Sequence, residues 1–322
     1  MAVLPPNEAG LTQALTNLRN GGLVAIPTET VYGLAANACD GEAVAAVYAC
    51  KERPQFNPLI CHVADFEMAQ QLGRFNAAAA QLAATYWPGP LTLVVPRSTD
   101  CPVAPLASAG LDSIAIRIPD HRLTAELIRR FGGPLVAPSA NPSGRLSPST
   151  AAHVAALLPE IDVLDGGACP VGLESSIVGC LESTPLWLRA GGLARSDIEA
   201  TLGMDLAEAP ESEAETAKLA PGRLARHYAP QSALRLNALE ATDKEVWIGF
   251  GPEAPTQCAA NLSRAGDLHE AAANLFALLH NLDAQAQAES KSLAVMPIPD
   301  DGLGEAINDR LHRAAAGANN NS

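Results

Sequence analysis

The densest concentration of reactive side-chain types in the chain is Pro138-Ser139-Ala140-Asn141-Pro142-Ser143-Gly144-Arg145-Leu146-Ser147-Pro148. It places hydroxyls, an amide and a guanidinium directly after the apolar run Leu135-Val136-Ala137. The stretch therefore reads as a polar loop leaving a buried strand, the position at which α/β proteins concentrate their binding sites. Ser, Asn, Pro and Gly are also ordinary turn residues, so the loop alone does not separate a site from a turn.

Four further segments repeat the pattern of polar residues beside apolar strands. Pro27-Thr28-Glu29-Thr30-Val31-Tyr32-Gly33-Leu34 follows the strand-like Leu23-Val24-Ala25-Ile26. Lys51-Glu52-Arg53-Pro54-Gln55-Phe56-Asn57-Pro58-Leu59 leaves a helix, and Pro54 disfavours helical geometry at Arg53, so Lys51 and Arg53 sit where the backbone turns extended; His62 lies on the next strand. In Ser113-Ile114-Ala115-Ile116-Arg117-Ile118 the period of two puts the isoleucines on one face and Ser113, Ala115 and Arg117 on the other. Gly172-Leu173-Glu174-Ser175-Ser176-Ile177-Val178 and Leu188-Arg189-Ala190-Gly191 complete the set.

Each has a bland alternative: Arg117 as an internal ion-pair partner of Glu29 or Glu174, His62 as a satisfied core histidine, Thr28 and Thr30 as plain strand formers. Together, Lys51, Arg53, Arg117, Arg145 and Arg189 would bring cations to one edge of an acidic protein, which is what a triphosphate requires. Neither a Gly-x-x-x-x-Gly-Lys-Ser/Thr nor a Gly-x-Gly-x-x-Gly cradle occurs in the sequence. A nucleotide would thus be held by side chains. There is also no Gly-x-Ser-x-Gly elbow and no metal-ligand cluster, which lowers hydrolase and metalloenzyme readings.

The elements that must position these residues alternate between helix and strand. Leu11, Leu15 and Leu18 mark a helical face that Gly21-Gly22 ends. Strands are expected at Leu59 to Val63, Leu91 to Val95, Ser113 to Ile118, Leu135 to Ala137, Ser176 to Val178 and Leu186 to Arg189. Helices are expected near Ala43 to Cys50, Ala77 to Trp87, His121 to Phe131 and Ala151 to Leu158, with a capping box at Ser196-Asp197-Ile198-Glu199 opening the last. The mixture implies an α/β sheet domain. Asp205 to Leu219 is acidic and low in hydrophobicity and reads as a linker. After Pro221-Gly222-Arg223-Leu224-Ala225-Arg226-His227-Tyr228-Ala229-Pro230, a smaller α/β pattern follows, with strands at Val246 to Phe250 and Leu293 to Met296 and helices through Leu268 to Leu282 and Glu305 to Ala315. A small parallel sheet fits it. The division expected is 1–204 for the first domain, 205–232 for a linker and 233–322 for the second.

At 322 residues and 48% hydrophobic content the chain can bury about two cores. No apolar run reaches membrane-span length, and Pro5, Pro6 and Glu8 do not suit a signal peptide, so a cytosolic location is expected. The seven cysteines are scattered without a Cys-x-x-Cys pair, which argues against a disulfide framework or zinc site. A net charge of −14 opposes a general nucleic-acid surface.

Taken together, the Pro27–Leu34 segment, Lys51-x-Arg53 with Asn57-Pro58-Leu59, Ser113 to Arg117, Ser139-Ala140-Asn141 with Ser143-Gly144 and Ser147-Pro148, and Glu174 to Val178 resemble the YrdC-like family of threonylcarbamoyl-AMP synthases, from about Leu11 to Gly203. The Pro221–Pro230 segment and Gly302-Leu303-Gly304-Glu305-Ala306-Ile307-Asn308-Asp309-Arg310-Leu311 resemble its long two-domain branch. Ser176, where threonine is commoner, and Leu224-Ala225, where a basic or aromatic pair is commoner, are small departures. The resemblance implies a YrdC-like twisted mixed sheet with helices, plus a smaller Rossmann-like α/β C-terminal domain.

It further implies that L-threonine, bicarbonate or CO2, and ATP with Mg2+ give L-threonylcarbamoyl-AMP and pyrophosphate for the t6A modification of tRNA. By motif, Thr30, His62, Arg117, Ala137 and Ser175 would hold threonine. Lys51, Arg53, Asn57, Ser113, Ser139, Asn141, Ser147, Arg189 and Tyr228 would hold ATP, and Lys51, Arg53 and Arg117 would carry the chemistry. No metal ligand is expected from the protein. Downstream, a t6A transferase complex would take the product, with tRNA contact weak or transient. The competing readings are an RNA-binding module and a carbamoyl-transfer enzyme of hydrogenase maturation type, the latter lacking here its Cys-x-x-Cys portions.

Overall fold

A computed structural model describes residues 2–54, 56–209 and 228–318. Gln55, Arg226 and His227, and most of the expected linker, lie outside the described residues.

The first domain is built on one sheet whose strands, in chain order, are β1 (Val3–Leu4), β2 (Val24–Ile26), β3 (Gly33–Asn37), β4 (Ile60–His62), β5 (Leu91–Pro96), β6 (Ser113–Arg117), β7 (Leu135–Val136), β8 (Asp162–Leu164), β9 (Ser176–Gly179), β10 (Leu186–Arg189) and β11 (Ala207–Glu208). Their spatial order is β1-β8-β2-β3-β7-β4-β6-β5-β9-β10-β11. Pairing is mixed: β4 runs parallel to β6, β5 parallel to β9, while β3, β4 and β5 run antiparallel to β7, β7 and β6 respectively. The alternation in β6 holds, with Ile114 and Ile116 in the main core and Ala115 in a separate cluster with Ile60, Val94, Ile177 and Leu188.

Helices flank the sheet, and their starts follow from short polar caps. Asn7 caps Glu8–Arg19, Asp40 caps Gly41–Lys51 and Asp65 caps Phe66–Leu72, each side chain accepting from backbone N–H groups of the first turn. The helix Gly41–Lys51 ends at Glu52, which takes a left-handed φ of 51°. That reversal turns Arg53 away from the helix axis and toward Asn57 and Pro58.

Differences from the sequence-based expectation have local causes. The last helix of the domain spans Arg195–Leu202 with Ala194 at its cap and no side-chain cap bond. Glu199 does not close a box with Ser196 because Arg195 Nε and the Leu206 N–H take its carboxylate, at 2.8 and 3.0 Å. The acidic stretch from Asp205 begins as β11, paired in parallel with β10; Glu208 there forms an ion pair with Arg195.

The second domain carries four parallel strands, β12 (Leu234–Arg235), β13 (Glu245–Gly249), β14 (Ala260–Asn261) and β15 (Ser292–Val295), in the order β12-β15-β13-β14. The helices Leu268–Ala288 and Gly304–Ala318 pack on them. Its core is continuous with the first domain: Val31, Leu146 and Leu173 are buried in the same cluster as Leu275, Phe276 and Ile307. Closeness at this seam depends on Gly172, whose φ is 72° and where an added Cβ would stand 2.4 Å from the Ala272 carbonyl oxygen. No described helix is long and apolar enough to cross a membrane.

Candidate active site

The parallel register of β4 and β6 sets His62 directly beside Arg117. On the same strand Ile60 is two residues away and therefore on the same face. This face floors a cavity walled by Thr28, Thr30, Val31 and Gly33 after β2, by Arg53 and Pro58, by Ala137 to Ser139 after β7, and by Glu174, Ser175, Arg189 and Tyr228. Its empty space is about 580 Å³ when the open solvent at the mouth is included.

At one end, Thr28 Oγ1 lies 2.8 Å from Thr30 Oγ1 and accepts from the Thr30 and Val31 N–H groups, which fixes the turn. Arg117 Nε donates to the Gly89 carbonyl at 3.1 Å and its Nη2 approaches Glu29 Oε1 to 2.7 Å. The ion pair foreseen as the bland reading of Arg117 thus exists, inside the cavity wall. His62 is 2% exposed; burial first, and Arg117 second, depress its pKa to about 3. The ring is therefore neutral, and since a carbonyl only accepts, the 3.2 Å contact to Ile60 O assigns the proton to Nδ1. Nε2 is left as an acceptor.

At the other end, Arg53 donates to the carbonyls of Asn57 and Pro58 at 3.3 and 3.1 Å. Arg189 donates to Ser175 O at 2.8 Å and to Ser175 Oγ at 3.2 Å, while Ser175 Oγ is 2.7 Å from Thr92 Oγ1. Burial lowers both guanidinium pKa values to about 10, so both remain cationic at neutral pH. Glu174 Oε1 accepts from Ser147 Oγ at 2.6 Å and Oε2 from Arg310 Nε at 2.9 Å. Burial alone would raise the pKa of this carboxyl, but Arg310 and Arg189 outweigh it and hold it at about 2.

The cavity gathers Thr30, Arg53, His62, Arg117, Ala137, Ser139, Ser175, Arg189 and Tyr228. Lys51, Asn57, Ser113, Asn141 and Ser147 do not line it. Lys51 is 2% exposed, and its Nζ donates to the carbonyls of Ser139 and Asn141, both at 2.5 Å. Burial, then Arg53, hold its pKa well below the ordinary lysine value. In this arrangement it braces the Ser139–Asn141 loop from behind. Asn57 and Asn141 are buried with side-chain Oδ1 atoms lacking hydrogen-bond partners. Ser113 is half-buried at the start of β6. Arg145, counted among the converging cations, is exposed; its backbone bridges to Ala229 instead.

Two wall features were underrated in the sequence. Glu174 was named within its segment and as a candidate partner of Arg117, yet its carboxylate takes Ser147 and Arg310 and joins both domains. Arg310 was quoted in a motif and given no role, although it falls on the apolar stripe of Ala306, Ile307, Leu311 and Ala314, where an arginine needs a buried partner.

A family profile described as "Telomere recombination", for the Sua5, YciO and YrdC proteins, matches residues 16–191, and the profile of the threonylcarbamoyl-AMP synthase C-terminal domain matches 193–316. The threonylcarbamoyl-AMP synthase of Bacillus subtilis is 36% identical, aligned over 98% of this chain and 95% of its own. That of Pyrococcus abyssi is 38% identical over 92% of each. The chain belongs to the threonylcarbamoyl-AMP synthase family. The crystal structure of Pyrococcus abyssi Sua5 complexed with L-threonine superposes with a TM-score of 0.89 at 34% identity, covering 99% of this chain and 98% of that one. A likeness to full-length HypF in its phosphate- and nucleotide-bound form, at 20% identity over 57% of this chain, concerns the fold alone.

Proposed function

We infer that the chain is an L-threonylcarbamoyladenylate synthase, a nucleotidyltransferase that converts L-threonine, bicarbonate or CO2, and ATP into threonylcarbamoyl-AMP and pyrophosphate for t6A modification. The observation that carries this reading is the convergence on one cavity of Thr30, His62, Arg117, Ala137 and Ser175 with Arg53, Ser139, Arg189 and Tyr228. The Pyrococcus abyssi relative was crystallised with L-threonine, and that ligand suits the first group.

In the proposed roles, Arg117 takes the threonine carboxylate while Glu29 and Gly89 O fix its guanidinium. His62 Nε2, an acceptor on a neutral ring, takes a hydrogen bond from the deprotonated amine, whose lone pair forms the N–C bond to CO2 as one C–O π bond opens; the N–H proton released passes to solvent and leaves the carbamate anion. Thr30 and Ser175 read the threonine hydroxyl. The carbamate oxygen then forms a bond to the α-phosphorus as the bond to the pyrophosphate oxygen breaks. No protein nucleophile is needed, so positioning and charge stabilisation carry the rate. Arg53 and Arg189 supply fixed positive charge to the triphosphate, Ser139 and Tyr228 line its path, and Lys51, Asn57, Asn141, Ser113 and Ser147 shape the wall behind.

Among the described residues no group of three or more His, Cys, Asp or Glu side chains could hold a metal ion. Glu29 and Glu174 are engaged by Arg117 and Arg310. Mg2+ is proposed to enter on the phosphates of ATP, as that ion commonly does. The proposed division is a catalytic domain 1–204, a connection 205–232 and a C-terminal domain 233–322; among the connection's described residues, β11 pairs with the catalytic sheet and Tyr228 lines the cavity. Carbamates are labile in water, which favours a closed pocket and direct hand-over to a t6A transferase complex in the cytoplasm.

The test is product identification. Incubation with ATP, threonine and 13C-bicarbonate should yield an adenylate carrying the label, detected by mass spectrometry. Conversion of ATP with no labelled threonine adduct would reject the assignment.

A further inference from the structure

We infer that Arg310, contributed by the C-terminal domain, is a positioning residue for the nucleotide end of the active site. The inference rests on the reading just given and extends it to the C-terminal domain, none of whose described residues lines the cavity.

Arg310 sits in the middle of the helix Gly304–Ala318 and is 1% exposed. Each of its three guanidinium nitrogens donates. Nε donates to Glu174 Oε2 at 2.9 Å, Nη2 to the Ala190 carbonyl at 2.8 Å and Nη1 to Asp309 Oδ2 at 2.7 Å. The face of the same group lies 5.2 Å from the centroid of the Tyr228 ring, a cation–π arrangement. Three of these contacts reach the cavity wall: Glu174 and Tyr228 line it, and Ala190 adjoins Arg189, which lines it too. Burial opposes the charge on Arg310, but Tyr228, Glu174 and Asp309 more than offset this and hold the group cationic.

The geometry couples these wall residues. With Oε2 fixed by Arg310, Glu174 turns Oε1 to Ser147, and the Ser139–Ser147 loop is tied to the opposite wall. Fixing Ala190 O holds the end of β10, from which Arg189 reaches Ser175. Lysine could not reproduce this, since a single ammonium lacks the planar fork that spans a carboxylate and a carbonyl. A simple docking contact would need none of these connections. The domain seam contains such a contact elsewhere, Trp187 Nε1 donating to Glu305 Oε1 at 2.9 Å.

The experiment measures ATP and threonine binding separately by calorimetry on the full chain, for wild type, Arg310→Met, Glu174→Gln and Glu305→Ala. The expected result is ATP affinity about tenfold weaker or more in Arg310→Met and Glu174→Gln, the scale of one lost charge-assisted bond. Threonine affinity should stay within about twofold, and Glu305→Ala should match wild type for both ligands. If Arg310→Met does not fold, Glu174→Gln, which keeps the shape of the wall, decides alone. Unchanged ATP affinity, equal weakening of both ligands, or the same ATP defect in Glu305→Ala would overturn the assignment. Because binding is read directly, failure of the overall reaction in wild type would count against the proposed function and leave this result separately interpretable.

Discussion

Arg53 keeps its charge in a buried position, its guanidinium held, among the described residues, by two backbone carbonyls. Arg53→Ala should lower kcat/KM by tenfold or more, since a charge-assisted bond contributes roughly 1.5 to 3 kcal/mol; equal kcat/KM in steady-state assays would remove it from the site. His62 makes a different prediction. The unfolded chain takes up this proton near 6.5, while the fold refuses it down to about 3. Stability from His62 is fully present above 6.5 and is lost as pH falls through that window, about 1.4 kcal/mol per pH unit. Urea midpoints at about pH 7 and about pH 5.5 should therefore diverge less in His62→Gln than in wild type. The same loss in both proteins would assign the pH dependence elsewhere. At this scale the sequence located the residues well, because polar side chains beside apolar strands are conspicuous. Their pairings were less legible: Glu29 or Glu174 could have met Arg117, and the loop after β2 brings Glu29 to it.

At the scale of elements, the polar loops depend on bracing from behind. Lys51 spends its ammonium on two loop carbonyls, so Lys51→Met should weaken both ATP and threonine binding and lower the melting temperature. A variant with normal stability and a defect for ATP alone would return Lys51 to direct phosphate contact. Arg145, by contrast, is exposed on the same loop, and Arg145→Ala should leave steady-state constants within about twofold. Strands rich in Val, Ile and Leu, such as β5 and β6, were legible from their apolar runs. β3, with the sequence Gly-Leu-Ala-Ala-Asn, has no β-branched residue and gains its place from pairing with β2 and β7. The helix Phe66–Leu72 is only seven residues long, too short for its periodicity to stand out.

At the scale of the whole molecule, the two domains share a buried cluster and an ion pair. Sequence periodicity reports which face of an element is apolar but not which distant element covers it, so this seam was invisible before the fold. Its consequence at the cavity is Tyr228, 1% exposed with its ring 5.6 Å from Phe276. Tyr228→Ala should slow adenylate formation while leaving circular dichroism unchanged; an undiminished rate would reduce the connection to a tether. The net charge of −14 further implies no appreciable tRNA retention in filter binding at about 0.15 M salt. The account's central claim is that one cavity joins an amino acid, a one-carbon unit and a nucleotide. Pyrophosphate release by the full chain with ATP, threonine and bicarbonate tests it most directly, each omitted in turn. The account predicts release only with all three present and a sharp loss when serine replaces threonine. Release that persists without threonine or without bicarbonate would contradict it.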